Sequence, residues 1–99
     1  MKSNIKGELS YPRRIRKRSE VDVMASILNE AHKGARKTHI MYRCNLSHTQ
    51  LQAYLKLLLG MRFLVSHSEK DSSELGFFKT TAKGLKFLDA YRTLKALMT

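Results

Sequence analysis

The chain has 99 residues, 42% of them hydrophobic, with 19 Lys and Arg against 8 Asp and Glu for a formal net charge of +11. That length favours one domain with a small core, and the charge, with a pI near 10.2, points to a polyanionic partner, nucleic acid or an acidic membrane surface. The single cysteine, Cys44, excludes an internal disulfide, no apolar run approaches the roughly 18 residues of a membrane span, and no apolar signal-peptide core opens the chain, so an intracellular protein is expected.

Residues 1–17 read as a basic arm. Through Arg18 the chain has seven bases against one acid, Glu8, a net of about +6 at the standard side-chain charges. Ile5, Leu9 and Ile15 are too scattered to build a core. Arg13, Arg14, Arg16, Lys17 and Arg18 crowd against a helix start, where the helix dipole disfavours them. An arm that follows phosphates or enters a minor groove accounts for that placement better than a solubilising tail. Residues 18–99 form the expected domain.

The first helix is expected over residues 20–32. Ser19 caps it, with Asp22 at the third helical position. Val23, Met24, Ile27, Leu28 and Ala31 make its inward stripe, and Gly34 ends it. Residues 35–37 read as a short extended link. Residues 37–59 then read as two short helices around a tight turn. Thr38 is expected to cap the first, which turns Ile40 and Met41 inward. Asn45 suits the turn, because Asn tolerates the left-handed conformation. Ser47 and Gln50 form a capping box for the second helix. Leu51, Tyr54, Leu55, Leu58 and Leu59 give that helix one apolar stripe, and Gly60 stands at its expected end. The opposite face carries His48, Thr49, Gln52, Ala53 and Lys56, polar and free of acid. This is the pattern of a helix-turn-helix whose second helix enters a DNA major groove.

Phe63, Leu64 and Val65 predict a short buried strand. Residues 67–75 are polar and aperiodic, as in a hairpin loop, and residues 76–79 return as the second strand. The hairpin is the expected wing. Its Glu69, Asp71 and Glu74 outnumber Lys70, so repulsion from phosphate opposes a close DNA contact at the tip. Thr81 caps a last helix over residues 82–98. Phe87, Tyr91, Leu94 and Met98 follow one face, with Leu85 and Leu88 beside it. That is more apolar surface than one domain contact uses, so Phe87, Tyr91, Leu94 and Met98 are the expected dimer contacts. The fold class is α+β, mainly α: a winged helix-turn-helix with a small antiparallel hairpin and a C-terminal helix.

These motifs also resemble a known family. Lys37-Thr38, Ile40-Met41-Tyr42, Asn45-Leu46-Ser47 and Tyr54-Leu55-Lys56 are similar to the archaeal winged helix-turn-helix DNA-binding proteins. That group consists of predicted transcriptional regulators and is related to the small dimeric ten-kilodalton chromatin-type proteins of thermophilic archaea. Thr81 with Lys83-Gly84 matches a second family element, and Arg18-Ser19 a weaker one; the likeness spans residues 18–91. Thr80 departs from the pattern, which places an apolar residue before the capping threonine. The last helix is too short for the long coiled-coil rod of the chromatin-type relatives. The resemblance implies double-stranded DNA as partner, a homodimer, and a nucleoid-associated place in the cytoplasm.

The expected DNA contacts are therefore Arg13, Arg14, Arg16, Lys17 and Arg18 from the arm; Lys37, Tyr42 and Arg43 around the first helix of the motif; and Ser47, His48, Thr49, Gln52 and Lys56 on the second. His, Thr and Gln can hydrogen-bond base edges, and Lys suits phosphate or guanine. Tyr42 can serve a phosphate or pack at the domain edge. A protein-interaction module using the same helix face is the rival reading, and RNA binding a second one; the chain lacks the aromatic platform of single-strand readers. His32, His39, His48 and His67 are spread over separate elements, so no metal is expected. No nucleophile–base pair or phosphate-cradling glycine loop appears, so neither an enzyme nor a cofactor is expected.

Overall fold

The computed structural model describes residues 18–67 and 76–99. The arm, with Arg13, Arg14, Arg16 and Lys17, and the wing tip, with Glu69, Asp71 and Glu74, lie outside the described residues. The elements are α1 (Glu20–Glu30), β1 (Ala35–Arg36), α2 (Lys37–Arg43), α3 (His48–Gly60), β2 (Leu64–His67), β3 (Phe77–Thr80) and α4 (Ala82–Leu97). The three strands form one antiparallel sheet in the order β1-β3-β2. Ala35 pairs with Phe78, and Leu64 with Thr80. The short link at residues 35–36 is thus the third strand, beside the expected hairpin.

The helix starts follow their local chemistry. In α1 the Ser19 hydroxyl accepts from the Asp22 N–H and the Asp22 carboxylate accepts from the Ser19 N–H, both at 3.1 Å. The α3 box is built the same way by Ser47 and Gln50, and Thr81 caps α4 through the Gly84 N–H. The Thr38 cap is not formed. α2 begins at Lys37 with Arg36 as N-cap and no side-chain cap bond. The reason lies in the sheet: β1 runs straight into α2, and the Lys37 N–H is taken by the Gly76 carbonyl.

α3 ends at Gly60 as expected, but not through the conformation of the glycine. The left-handed position falls two residues later, on Arg62 at φ 65°. The Phe63 N–H bonds the Leu58 carbonyl and the Arg62 N–H bonds the Leu59 carbonyl, which is a Schellman closure. α2 ends the same way, with Asn45 at φ 55°, the Leu46 N–H on Met41 and the Asn45 N–H on Tyr42. α1 stops at Glu30, and Gly34 follows at φ +100°. A side chain on Gly34 would strike the Phe77 ring.

The core joins Val23, Met24, Ile27 and Leu28 of α1 to Ile40 of α2, Leu51, Leu55 and Leu58 of α3, Leu64 of β2, Phe78 of β3 and Leu88 of α4. Tyr54, Leu59 and Met41 pack at its margin. The expected buried strand is half right: Leu64 is buried, but Val65 faces outward at 40% exposure. Only Leu64 of β2 reaches the core: Val65 points to the opposite face of the pleat, and Ser66 and His67 run out beyond the core toward the hairpin. Thr80 is buried without penalty. Its hydroxyl donates to the Leu28 carbonyl at 2.7 Å and its N–H to the Ala31 carbonyl, so it satisfies the end of α1 where an apolar residue could not.

Candidate nucleic-acid interface

α3 carries two faces. Leu51, Leu55 and Leu58 are buried, while His48, Thr49, Gln52, Ala53 and Lys56 are all exposed. The split follows from the 3.6-residue period: the leucines sink into the shared core, against the sheet, which leaves the polar stripe free. The N-terminus is fixed by the capping box, with the Ser47 N–H on Gln50 Oε1 at 2.9 Å. The Ser47 hydroxyl accepts from the Gln50 N–H at 3.1 Å, so its oxygen is already engaged in the cap. Behind the polar stripe, Gln52, Ala53 and Lys56 border a shallow groove floored by Leu55, Leu59 and Phe78.

The motif's own charges have one sign, although Glu20 of α1 lines a surface pocket with Gln50, Ala53, Tyr54 and Leu57 of α3. From Ala31 to His67 the sequence holds Lys33, Arg36, Lys37, Arg43, Lys56 and Arg62 and no Asp or Glu. The acids of the described residues, Glu20, Asp22, Glu30 and Asp89, all sit on α1 and α4. Glu30 reaches toward the motif, with its Oε1 3.3 Å from His39 Nε2 and 3.6 Å from Arg43 Nε.

The remaining expected contacts are placed as follows. Tyr42 is 83% exposed, so it does not pack at the domain edge. Arg43 is exposed but shares Glu30 with His39. Lys37 is half-buried in the first turn of α2. Arg18 is exposed, yet its guanidinium is committed: Nη1 donates to the Cys44 carbonyl at 2.8 Å and Nη2 to the Asn45 carbonyl at 3.3 Å. Cys44 is buried, and burial first, then the nearby Glu30 charge, push its thiol up to about 11. It is an inert core side chain at neutral pH.

On α4 the expected dimer stripe divides. Phe87 and Tyr91 are partly buried against the domain's own core, Phe87 with its ring centroid 5.1 Å from that of Phe63. The Tyr91 hydroxyl donates to Asp22, and Lys95 lies 3.6 Å from the same carboxylate. The Tyr91 bond first, then the Ser19 N–H, hold Asp22 down at about 2, and the same bond pushes Tyr91 up to about 12. Leu94 and Met98 remain exposed, at 51% and 69%, joined by Leu97 at 78%. The sequence reading missed Leu97 because it continued the stripe through positions that the domain itself uses. It also missed the structural work of Lys83, whose Nζ donates to the Met61 carbonyl at 3.1 Å. No local pattern announces a bond across 22 residues.

Three helices in this order, a three-stranded antiparallel sheet with a β2–β3 hairpin, and a closing helix define a winged helix. The chain belongs to the winged helix-turn-helix family, whose sequence profile matches residues 17–99. No curated protein sequence matches it. Among solved structures, it is similar to Sso10a-2, a DNA-binding protein from Sulfolobus solfataricus, with TM-score 0.71, 20% identity and 82% of each chain covered. The S. aureus MepR–DNA complex superposes with TM-score 0.65 at 11% identity, over 95% of this chain and 77% of that one. A mutant of MarR from E. coli, complexed with operator DNA, gives TM-score 0.60 at 11% identity, over 90% and 76%. At these identities the likeness is one of fold. No helix among the described residues is long and apolar enough to cross a membrane.

Proposed function

We propose that this chain binds double-stranded DNA with α3 in the major groove, as a nucleoid-associated regulator of transcription or organiser of chromatin. The observation that carries the reading is the bare, acid-free stripe of His48, Thr49, Gln52 and Lys56 on a helix clamped from behind by three buried leucines. A rigid helix with short hydrogen-bonding side chains is what base readout requires. Sso10a-2 is a DNA-binding protein, and MepR and MarR are solved on DNA; both facts favour duplex DNA over a protein partner. Lys37, Tyr42 and Arg43 serve phosphates beside the helix. The basic arm, with Arg13, Arg14, Arg16 and Lys17, supplies affinity that is blind to sequence.

The test titrates two variants against a preferred and a scrambled duplex at several salt concentrations. Deleting residues 1–17 should weaken both duplexes alike and flatten the log–log salt dependence by about 0.9 for each phosphate that the arm no longer neutralises. Gln52→Ala should keep the salt slope and lower the preference by roughly 1–3 kcal/mol if the amide reads a base bidentately. Equal weakening of both duplexes by Gln52→Ala would remove α3 from the role of reader.

The protein acts as a homodimer through the end of α4. Leu94, Leu97 and Met98 are exposed apolar residues on its last turns, and burying them between two copies removes that surface from water. Leu94→Lys with Met98→Lys spares Tyr91 and its bond to Asp22, and should convert the dimer to a folded monomer in light scattering. An unchanged mass would place the dimer contact elsewhere.

A further inference from the structure

Both ends of α3 meet a left-handed residue whose own and preceding carbonyls take no backbone N–H among the described residues. At the entry, Asn45 stands at φ 55°, and at the exit Arg62 stands at φ 65°. The carbonyls at issue are Cys44 and Asn45 before the helix, and Met61 and Arg62 after it. Among the described residues no backbone N–H donates to any of the four. Each is instead taken by a side chain from outside the helix-turn-helix. Arg18, in the segment leading into α1, forks across Cys44 and Asn45. Lys83, in the first turn of α4, donates to Met61, and the Thr81 hydroxyl donates to Arg62 at 2.7 Å. The Lys83 ammonium also sits 5.5 Å over the Phe63 ring.

We propose that Arg18 and Lys83 are positioning residues for α3, a pair of cationic clasps that fix its two ends and set sequence discrimination on DNA. The proposal rests on the reading of α3 as the DNA-reading helix. The physical case has three parts. Carbonyls at a helix C-terminus carry the negative end of the dipole, so a cation there is favoured: Arg18 at the end of α2 and Lys83 at the end of α3. Arg62, left-handed without the tolerance that Asn45 has for that conformation, is strained and persists only where its surroundings over-determine it; the second clasp supplies that determination, and the first fixes the turn that Asn45 makes. Finally, the room for the second clasp is reserved by Gly84. A side chain there would run into the Phe63 carbonyl and the Thr80 methyl, so α4 could not come close enough for Lys83 to reach Met61. Thr81, Lys83 and Gly84 thus act together, one as cap and donor, one as cation and one as clearance. Base contacts demand placement of α3 to a fraction of an ångström, whereas phosphate contacts tolerate slack, so loosening either clasp removes discrimination before it removes affinity.

Two variants test this in the full chain, assayed well below the melting temperature of each. Arg18→Lys keeps the charge but cannot fork across two carbonyls. Lys83→Met keeps the aliphatic stem over Phe63 and removes the donor. A preferred duplex selected from a random pool and a scrambled duplex are titrated across salt. Each variant should lower the preferred-to-scrambled ratio by roughly fivefold or more and leave the salt slope unchanged. If these cations met phosphates instead, Lys83→Met would weaken both duplexes equally and cut the slope by about 0.9, and Arg18→Lys would be silent; that result overturns the proposal. Hydrogen exchange without DNA reads the clasps alone. Faster exchange at the amides of residues 45–47 in Arg18→Lys, and of 62–64 in Lys83→Met, by roughly threefold or more, supports them, and unchanged exchange overturns them. A wild-type chain that binds no duplex while both exchange effects appear sinks the DNA reading of α3, and the discriminating role with it.

Discussion

Two helices of this chain open on the same capping box, and the residue at its third helical position differs. In α1 it is Asp22; in α3 it is Gln50. The carboxylate neutralises the positive end of the α1 dipole. It is also bonded by Tyr91 and approached by Lys95, both on α4. α1 is therefore an internal frame, with Val23, Met24, Ala25, Ile27 and Leu28 buried and its charged start tied to another helix. The amide of Gln50 closes its box equally well and leaves the helix end positive. Nothing acidic stands near by in sequence, and His48 and Thr49 of the first turn stay exposed. The same local device thus makes one helix start that is charge-compensated and tied to another helix, and one with no carboxylate of its own. A carboxylate in one box and an uncharged amide in the other make the difference.

The largest expected effects ask whether the two helices share one core. Leu28 is fully buried in α1 and Leu55 is 4% exposed in α3. Truncation of either to alanine should cost about 2–5 kcal/mol, read by thermal or urea melting. If Leu28→Ala left the melting temperature alone, α1 would not be the frame that carries α3. Both variants together should cost less than the sum of the two if their cavities merge.

A smaller effect probes the acidic box. Asp22 is held at about 2 against an ordinary 3.8. A depressed carboxylate stabilises the fold above its unfolded value and loses that contribution as pH falls. Partial exposure and screening leave about 1 kcal/mol for it. Asp22→Asn should therefore melt earlier than the wild type at pH 6. The gap should close as pH drops from about 4 toward 2. A gap that stayed constant over that range would mean that shape, not charge, ties α1 to α4.

The smallest effect on stability is the most direct test of the comparison. Gln50→Glu converts the α3 box to the α1 type. It should raise the stability by about 0.3–1 kcal/mol, through the dipole, while weakening binding to every duplex at low salt, since a carboxylate then faces the phosphates. Tighter binding, or none of the stability gain, would show that the field at the α3 N-terminus is set by other groups.

Much of this was legible along the chain because it is local. Ser19 with Asp22, Ser47 with Gln50, and Thr81 before α4 act within four residues, and their caps form as the spacing implies. The leucine stripe of α3 and the left-handed Asn45 were readable for the same reason. The errors also have a common origin. Thr38 looks like a cap until β3 and the residue before it are in place, and Gly76 claims the Lys37 N–H. Gly60 marks the end of α3 in the right place, but the closure is a Schellman turn completed beyond it, with Arg62 in the position glycine prefers. Phe87 and Tyr91 look like spare surface until α1 and Phe63 are seen to use them.

Local sequence is enough to specify the helices, most of their starts, the hairpin and the acid-free polar face of α3, because dipoles, caps and hydrophobic period act over one or two turns. What holds α3 in place, and which side chains remain free, depends on how the elements pack. Arg18 finds its carbonyls 26 and 27 residues away, Thr80 finds Leu28 at 52, and Tyr91 finds Asp22 at 69. Such partners are chosen by the approach of whole elements, where an unmet carbonyl is costly and the nearest donor in space satisfies it. No spacing along the chain encodes that choice.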